Sequence, residues 1–255
     1  MTRASPVIAA ILAAGLALPA ASPAAAERMT MSLSEHRVVI TSGFTGTNVV
    51  LFGVIEADGR SVSRPGGYQM VVTVRGPRRD VTLRRKERVG GVWVNWGSRT
   101  FTDVPQYLAI LSSRPLDEIA TPALRRRLSI GVAANMPPPE PGDEAMGLPQ
   151  LVELKEENGL FRSDPGGAVF LSRSLFRATI PLPSNVPIGA FEVEARLFAG
   201  DTPVAAQTTA LEVVKAGFEA DVADLAREQP WAYGFGAAFL AILSGWLASV
   251  AFRRD

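Results

Sequence analysis

Residues 231–252 read WAYGFGAAFLAILSGWLASVAF, a run without a single charge that is followed at once by Arg253 and Arg254. At the helical rise this segment spans ~33 Å, enough to cross the apolar part of a bilayer. The rest of the chain therefore reads as a domain held against a membrane. Within the run, Ala237, Ala241, Gly245 and Ser249 recur at every fourth position. On a helix they form one stripe of small side chains that a second helix backbone can approach closely. That second helix would belong to another copy of the chain or to a multi-span partner. The bland alternative is that Ala and Gly are simply common in this sequence. Trp231 and Tyr233 stand at one end of the run, where interfacial aromatics sit.

Working outward, residues 217–230 (GFEADVADLAREQP) predict a short amphipathic connector. Phe218, Val222 and Leu225 share one helical face, and Pro230 breaks or kinks the chain before the apolar run. The opposite terminus carries the order of a secretory signal: Arg3, an apolar run from Val7 to Leu18, then Ala24-Ala25-Ala26. Cleavage is expected before Glu27; an uncleaved anchor is the alternative. Export of the body with retention of Arg253 and Arg254 gives one topology. Residues 27–216 would lie in the periplasm and residues 253–255 in the cytoplasm of a bacterium, with a single pass through the inner membrane.

The charges nearly cancel, 26 Lys plus Arg against 25 Asp plus Glu, so no global field argues for nucleic acid. There is no Cys and only one His, His36. Disulfides, thiolate metal sites and a His-built zinc site are thereby excluded within one chain, and no cofactor is expected.

The body alternates in a β pattern. Strands are predicted at 37–41, 47–57 and 68–75, with a hairpin at 80–96 around Gly90-Gly91. Further strands are expected at 168–171, 175–182, 190–199 and 204–214, separated by turns at 185–189 and Gly200-Asp201. Between the two groups, residues 115–160 predict a helical insertion: PLDEIATPALRRRL split by Pro122, a Pro-rich loop at 136–147, and LPQLVELKEEN ended by Gly159. The fold class is mainly β, an immunoglobulin-like β-sandwich with a helical insertion and one C-terminal transmembrane helix. Two smaller β domains meeting in the Pro-rich loop remain the alternative.

Two regions offer themselves for binding. Arg75, Arg78, Arg79, Arg84, Arg85, Lys86 and Arg88 form a basic run that would suit anionic lipid head groups or an acidic partner. It would equally serve as a charged edge that discourages strand pairing between molecules. Trp93, Trp96, Arg99, Tyr107 and Arg114 concentrate aromatic and guanidinium groups as a candidate ligand surface, with one of the two Trp side chains expected in the core. No nucleophile elbow, phosphate-binding loop or zinc box is present, and His36 has only strand neighbours, which point to opposite faces. The chain is therefore read as a non-enzyme.

Three motifs, Phe44-Thr45-Gly46, Trp93-Val94-Asn95-Trp96 and Ser112-Ser113-Arg114-Pro115-Leu116, together with the signal and the C-terminal span, resemble an alphaproteobacterial family of transmembrane proteins. The resemblance runs along essentially the whole chain. The family has no assigned activity, so no functional residue is carried over. The resemblance implies an accessory role beside permeases of the sulfite-exporter type. The expected function is a membrane-anchored periplasmic interaction module assisting a transporter-type partner; the alternative is a tethered domain that binds a small anion.

Overall fold

The computed structural model describes residues 27–56, 67–138 and 147–251. The signal at 1–26, residues 57–66 with the turn that Asp58-Gly59 predicts, most of the Pro-rich loop and residues 252–255 lie outside the described residues.

Twelve strands are present among the described residues. They are β1 (Arg28–Leu33), β2 (Arg37–Ile40), β3 (Gly46–Glu56), β4 (Gln69–Arg75), β5 (Arg78–Val89), β6 (Val92–Pro105), β7 (Leu108–Ser112), β8 (Phe161–Pro165), β9 (Ala168–Phe170), β10 (Leu175–Pro183), β11 (Gly189–Ala199) and β12 (Thr202–Lys215). One sheet has the order β1-β3-β10-β9 and a second the order β2-β12-β11-β4-β7-β8; β5 and β6 pair only with each other. Both large sheets contain strands from before and after the helical insertion. β10 lies against β3, and β11 against β4. The two halves of the chain are therefore not separate β units.

Strand alternation divides the interior into two cores. Val49, Leu51, Phe176, Ala178 and Ile180 from the four-stranded sheet meet Val72, Val74, Tyr107, Phe191, Val193 and Leu197 from the six-stranded sheet. The neighbouring positions on the six-stranded sheet, Val71, Leu108, Ile110 and Phe198, face the other way and pack under the helical insertion. Both faces of that sheet are thus covered at its central strands β4 and β7. This explains β7 (LAILS), whose five residues are all buried. A strand buried on both sides has no polar alternation, and for that reason it was not anticipated as a strand. β1 and β8 were not anticipated either. They are an edge strand beginning at the expected signal-cleavage site and a short strand of mixed polarity, FRSDP.

The helical insertion consists of α1 (Leu116–Ile119), α2 (Pro122–Arg127), α3 (Val132–Asn135) and α4 (Leu148–Glu157). Pro122 does split the first helix, because proline suits the opening turn and not the interior. Thr121 caps α2, its hydroxyl accepting the Leu124 N–H. α4 ends before Gly159, whose φ of +68° continues the chain in the left-handed region favoured by glycine. Beyond β12, α5 (Phe218–Glu228) leads through Gln229 into α6 (Pro230–Ala251), with Pro230 as the opening residue. α6 is the one helix among the described residues long and apolar enough to cross a membrane, and none of its candidate span is buried against the domain.

One of the two Trp side chains is expected in the core; that of Trp96 lies outside the described residues, and that of Trp93 is exposed. Trp93 is 68% exposed because β5 and β6 leave the sheets as a separate hairpin and carry it to the tip. Tyr107 and Phe191, with ring centroids 5.5 Å apart, lie in the main core.

Candidate functional site

The five residues proposed as a binding surface lie along one ribbon. β4 and β7 form a ladder that ends at Arg75 opposite Leu108. It continues through Gly76 N–H to Tyr107 O and Gln106 N–H to Pro77 O, then into the β5–β6 hairpin from Arg78 opposite Pro105. Trp93 sits beside the tip, opposite Arg88, while Arg114 lies just beyond the far end, after Ser112. Arg99 stands between, its guanidinium 5.4 Å from the Phe101 ring centre. Trp96 is in β6, and its side chain is outside the described set. Tyr107 is buried in the main core and donates its hydroxyl to Pro181 O. Burial pushes its pKa well above the usual phenol range, since the phenolate would be desolvated. Arg114 reaches a cleft, of about 330 Å³, which Tyr68, Gln69 and Ser113 also line. The ribbon therefore strings these residues apart rather than gathering them.

A larger cleft, of about 600 Å³, opens where the helical insertion meets the six-stranded sheet. It is built by β11, whose sequence Phe191-Glu-Val-Glu-Ala-Arg-Leu197 alternates: Phe191, Val193, Ala195 and Leu197 enter the main core. Alternation then sends Glu192, Glu194 and Arg196 to the opposite face. Glu194 is buried there, and its two carboxylate oxygens are divided between two cations. Arg75 Nη1 donates to Oε2 at 2.9 Å, and Arg196 Nε donates to Oε1 at 2.7 Å. Arg75 also donates from Nε to Asn135 Oδ1 at 2.7 Å and from Nη2 to Ser129 O at 3.2 Å. Asn135, itself buried, returns its amide hydrogens to Ser129 O and Gly131 O, both at 2.8 Å. Ser129 has a φ of +55°, and this ring of bonds holds it there.

At the cleft rim the hairpin base is bulged, and Asp103 takes a φ of +56°. Arg78 clamps it, with Nε 2.9 Å from Asp103 Oδ2 and Nη2 donating to Asp103 O at 2.7 Å. Each of the three arginines lining the cleft thus has a carboxylate within ion-pair distance. Such an arrangement fixes the insertion on the sheet and leaves no guanidinium uncommitted to an acid. Among the described residues, no group of three His, Asp or Glu side chains is placed to hold a metal.

Arg75, Asn135, Glu194 and Arg196 were not singled out from the sequence as a constellation. The available signal was the Glu-x-Glu-x-Arg alternation in β11, which marks a strand face too polar for an ordinary core. Its partners come from residues 75 and 129–135, and only folding places them beside it. Ala237, Ala241, Gly245 and Ser249 all lie exposed on α6, and a Cβ added to Gly245 would meet nothing within 4 Å.

A comparison with curated proteins finds no match. A family model described as Putative transmembrane protein (Alph_Pro_TM) matches residues 28–254. That match covers β1 to the end of the apolar helix, and the chain belongs to this alphaproteobacterial transmembrane family.

Proposed function

We propose that the protein is a membrane-anchored periplasmic interaction module, non-enzymatic, that assists a multi-span partner of transporter type. The observation that carries the reading is the division of its surface. The buried charges of the cleft beneath the helical insertion are paired internally, whereas exposed apolar side chains collect on α6 and at the hairpin tip. A catalyst needs an uncommitted reactive group, whereas an anchored binding module needs exposed contact surface. The split of the N-terminal segment supports the immunoglobulin-like reading: β1 joins the four-stranded sheet and β2 pairs in parallel with β12 in the other. The charge-free run ahead of Arg253 and Arg254 supports a cytoplasmic C-terminus within the inner membrane.

The span is the proposed docking element, through Ala237, Ala241, Gly245 and Ser249, with a second copy as the alternative occupant of that stripe. Capture of the full chain from detergent-solubilised membranes, compared with Gly245→Leu, tests it. The leucine should lose the partner while the domain melts as before. Recovery of the same proteins with both chains, or of none with either, removes the reading.

A further inference from the structure

Among the described residues, the β5–β6 hairpin reaches the cores only from its base. Phe101, Val104, Val81 and Leu83 pack onto the helical layer. From Arg84 outward, β5 and β6 pair only with each other. Gly90 and Gly91, with φ of +59° and +88°, form the two-residue turn that right-twisted antiparallel strands favour. Beside that turn Val92 is 67%, Trp93 68% and Val94 41% exposed. Residues 84–99 contain five basic residues (Arg84, Arg85, Lys86, Arg88, Arg99) and one acid, Glu87, a net charge of +4. Arg88 is directly opposite Trp93, so a cation and the indole share a face.

Topology decides where this tip points. β4 and β12 are both antiparallel to β11, so they run in the same direction and leave the six-stranded sheet at the same end. From the end of β4 the ribbon continues into the hairpin. From the end of β12 the chain continues into α5 and the membrane helix α6. Arg75 lies level with Glu192 and Ala210, and β12 runs on to Lys215 before α5 begins. Five further strand residues and an upright α5 would reach up to ~33 Å beyond that level. The hairpin, twelve residues to Val89, reaches up to ~40 Å. With α5 so placed, the tip and the first turn of α6 have similar reach from the same end of the sheet.

We propose that the hairpin tip is a second membrane contact: Val92, Trp93 and Val94 enter the interfacial layer of the bilayer that α6 crosses, and Arg84 and Arg88 meet anionic phospholipid head groups. Trp suits that layer because its ring is apolar and its N–H stays hydrated. Arginines near an anionic surface add attraction that falls within a Debye length. The contact would fix the tilt of the domain over the membrane, which a single helix with a short connector leaves free. It rests on the span alone and holds on whichever side of the membrane the domain lies.

Absence of native Cys makes the test direct. Full-length Trp93→Cys, carrying an environment-sensitive fluorophore, is reconstituted into phosphatidylcholine vesicles containing phosphatidylglycerol and quencher-bearing lipid. Asp201→Cys, in the β11–β12 turn at the opposite end of the sheet, is the reference. The label at 93 should be quenched at least two-fold more than at 201. Arg84→Glu with Arg88→Glu should return it to the reference level without changing the melting temperature. Val92→Cys repeats the measurement with the indole intact. Quenching at 93 and 92 no greater than at 201 overturns the proposal, and a protein crosslinked at the tip in native membranes under that outcome would assign the surface to that protein.

Discussion

Arg75 stands directly opposite Glu192 across the β4–β11 ladder, yet its short contact is the diagonal one, 2.9 Å to Glu194, with Glu192 at 3.6 Å. The reason is burial. Glu194 lies under the helical insertion, where a charge without a partner is costly, whereas Glu192 is solvated. Arg75→Met should therefore destabilise the protein by about 2–3 kcal/mol, since it leaves the buried Glu194 Oε2 without its charged donor while Arg196 stays on Oε1. Glu192→Gln should cost below about 1 kcal/mol, as surface pairs do. Denaturant unfolding of the full chain in detergent gives both numbers, and equal losses would contradict the assignment.

Tyr107 makes stability depend on alkaline pH. Burial raises its folded pKa above the ordinary 10.0. Its contribution is thus complete below pH ~10 and is lost as pH rises through the folded value. Tyr107→Phe should cost about 1–2 kcal/mol at neutral pH, because Pro181 O loses its donor. The variant should then lose less stability than the parent above pH 10. Parallel alkaline slopes in the two proteins would show that another group is responsible.

Lys155 acts with the opposite sign. It is buried in α4, its Nζ donates to Gln106 Oε1 at 3.2 Å, and desolvation lowers its pKa from 10.5. The unfolded chain holds this proton more tightly, so stability rises with pH between the folded value and 10.5. Lys155→Met keeps the stem and removes the amine. It should be at least as stable as the parent at pH 7 and should lack that rise; melting curves between pH 7 and 10 decide the matter.

Gly53 is where the four-stranded sheet has no spare volume. It is paired with both Met31 and Phe176, and a Cβ there would lie 2.1 Å from the Phe176 ring. Overpacking of this kind typically costs 1–3 kcal/mol. Gly53→Ala should lose about that much, and Gly53→Ala with Phe176→Leu should recover part of it. A double variant no better than the sum of the two singles would place the strain elsewhere.

Much of the architecture was legible before folding. Alternating Val, Ile and Phe with Gly-marked turns located nine strands, and Pro122 and Gly159 marked the helix boundaries. β7 escaped because its flanking sheet surfaces are both covered, which erases the alternation on which strand recognition depends. The candidate binding surface was less legible. Trp93, Arg99, Tyr107 and Arg114 are near one another in sequence, but an extended ribbon separates by distance what it lists together.

The apolar run at 231–252, the helix it forms and the mainly β character of the body are properties of local composition, which side-chain spacing alone determines. The pairing of Arg75 with Glu194, and the departure of the hairpin and the membrane helix from one end of the sheet, depend on strands distant in sequence. They were decided only when β4 and β12 packed on either side of β11. Burial on both faces of that sheet is what turned an ordinary Glu-x-Glu-x-Arg strand into a charge network that holds the helical insertion in place.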